Sequence, residues 1–355
     1  MKFDITKGTL ETMLSSLQPF LEKKDASQIT AHIFFTVNDK ELTLKATDRE
    51  MGLLISTNDF KNGVNGSFTC NGQKILDVVR TLHPDEISVE NSNDDVIIKQ
   101  KRTKYKLQSF NPSQFPEFEQ NPSLSGININ SQSLITGFKQ TFPAIAGAAH
   151  KAELTGTLVD IKNSVINIVA TDTKRLAIFK IDQGSDKNFS FILPKRAVSE
   201  IQKVFNSDFS VAFDDTNLIV QNKDYYFFTK VINGRFPDYE RIIPREINHK
   251  FKVNTKKMIE CLLQISSLSR EVKIIFSEDQ ISFETLEHSN EEATTSFEND
   301  IKIEKPFSIA VDSRFLIEFL QQVNSDTFLI GVNEPTLPFT LENGQLLTIV
   351  MPIIL

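Results

Sequence analysis

FDITKGTLETML (Phe3–Leu14), ININSQSLITGF (Ile127–Phe138) and FKVNTKKMIECL (Phe251–Leu262) are three versions of one pattern, each starting 124 residues after the last. Each opens on alternating apolar positions, the period of a half-buried strand. A polar residue follows (Lys7, Ser131, Thr255), and then a helix-like run whose first apolar members are Leu10, Leu134 and Met258. Solenoid units repeat every 20 to 50 residues or so, and this period is far longer. The chain therefore reads as three tandem domains of similar build. Whole-domain repetition is what a symmetric scaffold or a ring requires, and it is unusual for an enzyme with one site.

Working outward, ELTLKATDREMGLLIST (Glu41–Thr57) and SVINIVATDTKRLAIFKI (Ser164–Ile181) each place β-branched and apolar residues on either side of an Asp-led turn, the signature of a hairpin. Their Ala-Thr-Asp triplets begin at Ala46 and Ala170, again 124 apart. The third counterpart, QISFETLEHSNEEATTSFE (Gln280–Glu298), has lost the triplet. A second helix is expected after each hairpin, over Asn71–Leu82, Pro194–Phe205 and Asp312–Val323, with Pro194 in a first turn and Asp312 as an N-cap. Pro-, Ser- and Asn-bearing stretches at Asn121–Gly126 and Ile242–Lys250 read as linkers. These divide the chain into domains 1–123, 124–246 and 247–355. The fold class is α+β, each domain having two helices packed on mainly antiparallel sheets.

Composition sets bounds on function. With 355 residues, 40% apolar and 24% charged, the chain can close a sizeable core in each repeat. Phe supplies nearly all the aromatic mass, 29 against 4 Tyr and no Trp, which suits core filling. Cys70 and Cys261 form no Cys-x-x-Cys and read as buried thiols of a reducing cytoplasm. The N-terminus lacks the apolar stretch of a signal peptide. The run Leu346–Leu355 is half the length of a membrane span and is broken by Pro352, so no membrane role is expected. The five histidines (His32, His83, His150, His249, His288) show no ligand spacing, so neither a metal nor another cofactor is expected. No phosphate-binding loop or nucleophile motif occurs, and no catalytic residue is assigned. Asp48 and Asp172 could serve a metal-dependent enzyme of DNA metabolism. Aspartates in this position more commonly accept turn amides, and that reading is preferred.

Net charge is −7, yet the six expected helices carry ten basic residues against five acidic ones. Basic helices on an acidic protein suit a weak, sequence-independent attraction to phosphates that permits sliding. They equally suit solvated helix faces.

VINGRFPDYERIIP (Val231–Pro244), VATDTKRLA (Val169–Ala177) and the terminal VMPIIL (Val350–Leu355) complete the picture. Together with the threefold repeat over the entire chain, they resemble the bacterial DNA polymerase III beta subunit family, the sliding clamps, whose usual forms are close to DGRFPDYxRVIP, ATDGHRLA and VMPMRL. The resemblance implies a head-to-tail homodimer of six domains around a hole, with helices lining the hole and sheets outside. It implies a cytoplasmic, nucleoid-associated protein that encircles double-stranded DNA regardless of sequence. Such a clamp tethers the replicative polymerase, the clamp loader, other polymerases and repair proteins through short apolar-ended peptides.

Carried over position by position, the peptide pocket comprises Leu154, Thr171, Thr173, Lys174, Arg175 and Leu176 from the second domain. Pro237, Arg241 and Ile242 come from the FPDYERI segment, Phe315 and Pro338 from the third domain, and Val350, Met351, Pro352, Ile353 and Leu355 from the terminus. DNA-facing positions are Lys24, Lys74, Arg80, Lys195 and Arg196, with Gln73 where the family often has Arg. The dimer seam falls on Tyr105 and Leu268. This chain departs from the pattern at Thr173-Lys174, where the family has Gly-His, and at Ile353-Ile354, where it has Met-Arg. Both changes move charge at the pocket rim, so an altered preference for the partner's polar residue is expected.

Overall fold

The computed structural model describes all residues except 26–27, 39, 119–124, 163–164, 184–187, 214–215, 287–291, 302, 304–305 and 355. The expected boundary at 123/124, most of the Asn121–Gly126 linker and the pocket residue Leu355 thus lie outside the described residues. Six α-helices occur among those described: α1 (Lys7–Leu17), α2 (Gly72–Thr81), α3 (Ser131–Thr141), α4 (Lys195–Val204), α5 (Thr255–Ser266) and α6 (Ser313–Leu320). They begin where side chains can satisfy orphan amides. Thr6, Asn71, Asn254 and Asp312 accept from Thr9, Lys74, Lys257 and Arg314 N–H respectively, each such cap stabilising by about 1 kcal/mol. Pro194 ends the preceding strand, one residue ahead of α4, because its missing N–H suits a position just outside the helix ladder.

The chain folds into two compact units, Met1–Ser131 with Ser199–Val231, and Gln132–Val198 with Ile232–Leu355. The middle third of the sequence contributes to both.

In the first unit, a five-stranded antiparallel sheet runs in the order Lys61–Val64, Lys2–Thr6, Glu86–Ser92, Asp95–Gln100, Thr103–Gln108. An eight-stranded sheet runs Ser125–Ile127, Ser210–Phe213, Asn217–Gln221, Tyr225–Lys230, Met51–Thr57, Glu41–Thr47, His32–Asn38, Gly66–Asn71. Helices α1 and α2 pack together, burying Leu10, Met13, Leu14 and Leu17 from one and Ile75, Leu76 and Val79 from the other. The i, i+3, i+4, i+7 spacing of these residues is what closes the core. Phe3, Phe35 and Phe68 stack through that core, with ring centroids 6.4 and 4.6 Å apart, so phenylalanine fills volume as its abundance suggests.

The second unit repeats the design. Its eight-stranded sheet runs Phe189–Pro194, Gly156–Lys162, Val165–Thr171, Arg175–Ile181, Leu346–Val350, Phe339–Asn343, Thr327–Val332, His249–Asn254. A four-stranded sheet runs Thr294–Glu298, Gln280–Thr285, Glu271–Phe276, Phe307–Asp312. Thus the third hairpin forms although its sequence lost the triplet. Helices α5 and α6 pack together, as α1 and α2 do. Phe251, Phe276 and Phe307 stack at centroid distances of 5.0 to 6.0 Å. Helix α3 lies close on its sheet at Gly137, where a Cβ would come within 2.3 Å of Ile168 Cδ1.

Each eight-stranded sheet contains a seam where strands from two repeats pair. In the first unit, Met51 pairs with Thr229 and so on to Ile55 with Tyr225. In the second, Arg175 pairs with Val350 and so on to Phe179 with Leu346. Met51 and Arg175 each stand three residues after their turn aspartate, and Tyr225 and Leu346 each follow a hairpin turn. The two seams therefore share one register. Two further strands stand where the two sides of those seams stand in the other repeats, each paired on one side only among the described residues: Thr103–Gln108 in the first unit and Thr294–Glu298 in the second.

Candidate functional site

The site begins with the turn of the second-repeat hairpin. Asp172 Oδ1 accepts the Lys174 and Arg175 N–H groups, both at 3.0 Å, while Thr171 Oγ1 accepts from Thr173 N–H and donates to the Arg175 carbonyl at 2.6 Å. This folds Thr173 into the left-handed region at φ 73°, where a side chain costs about 1–2 kcal/mol and glycine costs nothing. The first repeat is built the same way. Asp48 Oδ1 accepts from Glu50 and Met51, Thr47 Oγ1 donates to Met51 O, and Arg49 takes φ 74°. The turn aspartates are thus occupied with backbone amides, which leaves no observation favouring their use as catalytic metal ligands. Among the described residues no group of His, Cys, Asp and Glu is arranged to hold a metal ion.

Arg175 emerges from this turn and is buried, with 5% of its side chain exposed. A buried guanidinium must be paired. Its Nε donates to Asp172 Oδ2 at 3.2 Å, its NH2 donates to the Pro143 carbonyl and meets Glu318 of α6, and its face lies 4.7 Å from the Phe315 ring centroid. Arg175 therefore joins the hairpin to α6 and to the segment after α3. Pro143 and Glu318 were invisible as members of the site in sequence. Glu318 could have been suspected, because it stands one helical turn from Phe315 on α6 and carries the charge a buried arginine needs.

Cross-strand pairing brings the terminus to the same place. Val350 lies opposite both Arg175 and Phe339, Leu176 lies opposite Ile349, and Met351 N–H donates to the Lys174 carbonyl at 2.9 Å. Pro338 directly precedes that Phe339. The tail is pinned again where Ile353 N–H donates to the Ala310 carbonyl at 2.7 Å. Leu176 and Ile349 belong to a buried cluster with Phe236 and Tyr239, and this cluster anchors the FPDYERI segment. Tyr239 Oη donates to Asp160 Oδ2 at 2.6 Å, and its phenol pKa is raised by burial and by that carboxylate. Lys162 bridges Asp160 and Glu240 and is held protonated well above its usual range, mainly by its hydrogen bond to Glu240.

The expected pocket residues thus divide by exposure. Leu154, Thr171, Arg175, Leu176, Phe315 and Val350 are buried, while Pro237, Pro338, Pro352 and Ile353 are half-buried. Thr173, Lys174, Arg241, Ile242 and Met351 are exposed. Arg241 is 85% exposed and pairs with Asp238, Nε to Oδ2 at 2.7 Å. The result is an apolar floor with a polar and partly apolar rim, the build that suits a short linear peptide.

Of the expected DNA-facing residues, Lys24, Lys74 and Arg80 are exposed in the first unit. Arg80 Nε lies 3.6 Å from Glu11, and Lys7 Nζ donates to the Arg80 carbonyl at 3.0 Å, tying α1 to α2. Gln73 donates to Asp77 at 2.8 Å. In the second unit Arg196 is exposed, whereas Lys195 is half-buried. Its ammonium donates to the Ile145 carbonyl at 2.9 Å and sits 5.2 Å from the Phe142 ring centroid, and burial lowers its pKa. Lys195 thus spends its charge on its own unit. Tyr105 lies on the edge strand Thr103–Gln108 with its hydroxyl 3.2 Å from Thr81, and Leu268 is exposed just beyond α5. An open cleft of about 660 Å³ in the first unit, flanked by Thr9, Thr12, Ser56, Asp59 and Tyr225, contains none of the expected residues.

Both cysteines are buried and unpaired, and burial pushes the Cys70 thiol up to about 12. Among the described residues no helix is long and apolar enough to cross a membrane.

Comparison with known proteins agrees across the whole chain. Residues 1–119, 128–238 and 240–353 match family profiles described as the N-terminal, central and C-terminal domains of the DNA polymerase III beta subunit. The beta sliding clamp of Helicobacter pylori strain J99 is 36% identical, with both chains fully covered, and that of Haemophilus influenzae is 27% identical over 82% of each. The structure of the Helicobacter pylori beta clamp bound to DNA ligase peptide superposes with a TM-score of 0.95 at 36% identity, covering all of both chains. The Pseudomonas aeruginosa DNA polymerase III subunit beta superposes at 0.92 with 20% identity, a likeness of fold.

Proposed function

Since the chain belongs to the DNA polymerase III beta subunit family, it is a DNA sliding clamp, a non-catalytic processivity subunit of the polymerase holoenzyme, and we propose that it works as a closed head-to-tail dimer threaded by duplex. The observation that carries the closure is that two of the sheet edges, Thr103–Gln108 and Thr294–Glu298, correspond to the two sides of the internal seams and are paired on one side only among the described residues. Unpaired strand edges are templates for another chain. The two internal seams share one register. Applied to the free edges of two copies, that register sets Thr103 opposite Thr295, Lys104 opposite Thr294, Tyr105 opposite Ala293 and Lys106 opposite Glu292. Each repeat then ends in a completed sheet, and the contact is heterologous and closes on itself. Tyr105 sits within this seam, and Leu268 is proposed to flank it. The three domains are taken as 1–123, 124–246 and 247–355, operating on the bacterial nucleoid in the cytoplasm.

Lys24, Lys74, Arg80 and Arg196 supply phosphate attraction, with Lys195 a weaker contributor because its charge is engaged. The attraction is sequence-independent and salt-sensitive, so retention on DNA rests on topology. The groove built on Thr171–Leu176, Phe315 and the terminal segment through Leu355 receives short peptides, as the Helicobacter pylori clamp receives one from DNA ligase. Replicative and repair polymerases and the clamp loader would dock there in turn, held near the primer by effective concentration.

The test is retention. Clamp loaded on nicked circular DNA should stay bound at salt that removes simple phosphate binders, and should leave once the circle is cut. Equal retention on linear and circular DNA would overturn encirclement.

A further inference from the structure

We infer that the open cleft at the end of the first-unit seam is a second ligand site, and that it takes a guanidinium or ammonium group carried on an apolar stem. The inference does not rest on the peptide-groove reading, because the two sites share no residue. The cleft, about 660 Å³ in volume, falls where the pairing of Met51–Thr57 with Tyr225–Lys230 runs out at Ile55 and Tyr225. Space of this size suits a small organic molecule or one or two side chains of a peptide. Its walls come from the start of α1, from the strand end at Ile55–Asp59, and from the second repeat's turn at Lys223–Tyr225.

The protein's own hydrogen bonds fix these walls. Asn222 Oδ1 accepts the Asp224 and Tyr225 N–H groups at 3.1 and 2.9 Å, and Ser56 N–H donates to the Asp224 carbonyl at 2.8 Å, which ties turn to strand. Thr9 Oγ1 donates to Asp59 Oδ2 at 3.2 Å, which ties α1 to the same strand end. Helix α1 meets the cleft with Gly8, where a Cβ would touch nothing within 4 Å. No neighbour excludes a side chain there, so the glycine leaves room rather than relieving a clash.

The lining decides what fits. Its floor is apolar, with Met13 and Ile55 only 5 and 4% exposed. Beside them stands the half-buried ring of Tyr225, set edge-on against Phe205 at a centroid distance of 6.1 Å. The rim carries three exposed carboxylates, Glu41, Asp59 and Asp224, against one ammonium, Lys223. Asp59 is engaged by Thr9, whereas Glu41 and Asp224 have no ion-pair partner among the described residues. An apolar floor disfavours a bare hydrated ion, and an acidic rim disfavours a neutral or anionic guest. A cation on an alkyl or aryl stem satisfies both, burying the stem while its head meets the carboxylates and the tyrosine ring.

The experiment is a methyl-NMR titration of the full-length protein labelled at Met and Ile, so that Met13 and Ile55 report from the floor. The probes are acetyl-Phe-Arg-amide, the same peptide with neutral, isosteric citrulline, and free phenylbutylguanidine. The arginine peptide should shift both methyls and bind about tenfold more tightly than the citrulline peptide, the size of two rim ion pairs. That preference should fall below about threefold at about 0.5 M salt. The double variant Glu41→Gln, Asp224→Asn should remove it and leave the citrulline peptide's affinity unchanged. Thr12→Arg, which places a guanidinium of the chain's own on this exposed wall of the cleft, should weaken the arginine peptide to a similar degree. Binding of the peptide well above the free guanidine points to a basic segment of a partner protein, and equal binding points to a small metabolite; either supports the site. Equal affinity for arginine and citrulline peptides, a preference that survives the double variant, or shifts absent from Met13 and Ile55 would overturn it.

Discussion

Reversing Glu292 to lysine probes the intermolecular seam at its most exposed point. In the proposed intermolecular register, Glu292 of one copy is set opposite Lys106 of the other. Glu292 is exposed and lies next to the edge strand Thr294–Glu298, while Lys106 already pairs with Asp95 at 2.8 Å within its own sheet. Opposite charges directly across a strand pair stabilise by about 0.2–1 kcal/mol, and like charges destabilise similarly. Converting attraction to repulsion thus costs about 1 kcal/mol at each interface. A closed dimer has two interfaces, so about 2 kcal/mol is lost, which raises the dimer dissociation constant ~30-fold. Sedimentation equilibrium across a dilution series at low salt measures it directly. K106E alone should weaken the dimer comparably, and the double variant, with the charges exchanged, should recover most of the loss. An unchanged dissociation constant in E292K, or a double variant no better than the singles, would refute the register.

Two further outcomes follow from buried groups. His32 is buried against Phe110, with ring centroids 4.0 Å apart, and burial together with the nearby charge of Lys74 pushes its pKa down to about 4. The neutral form is therefore the folded one. The stability this contributes is present above the unfolded value near 6.5 and is lost as pH falls from there towards 4. Urea titrations should show wild type losing about 1–2 kcal/mol more than His32→Gln between pH 7 and pH 5, allowing for solvent screening. Parallel losses would refute the assignment. Replacing Arg175 by Met leaves Asp172 and Glu318 without their cation and should cost about 3 kcal/mol of stability. A loss under about 1 kcal/mol would mean that Arg175 does not hold the hairpin to α6.

Periodicity carried much of this fold. The hairpin expected over Glu41–Thr57 forms as strands Glu41–Thr47 and Met51–Thr57, because apolar alternation and an Asp-led turn agree locally. The α1, α3 and α5 runs likewise follow their strands as the threefold pattern predicts. What sequence could not convey is how strands sort in space. Nothing local to Tyr225–Lys230 says that it will pair with Met51–Thr57 across more than 160 residues, since such pairing is decided by edges. The third hairpin likewise forms without its triplet, Gln280–Thr285 pairing with Thr294–Glu298. In the groove, Arg175 was identifiable by its place in VATDTKRLA, while its partners Pro143 and Glu318 were not, being 32 positions before it and far beyond it in the chain. Lys195 is a DNA-facing position by the family resemblance; its carbonyl and aromatic contacts, visible only in three dimensions, redirect its charge.

The shared register of the two internal seams bears on where a dimer closed as proposed would open. Both of those joints lie within a continuous polypeptide, so parting them would strain or unfold covalently tied neighbours. The proposed joint between Thr103–Gln108 and its counterpart on the other copy has no such leash. A loading motor would therefore need to prise only there, peeling the few residue pairs of that joint as a zipper and leaving the rest of the molecule intact. In the proposed dimer that joint occurs twice, and at each the repeat changes hands from one molecule to the next.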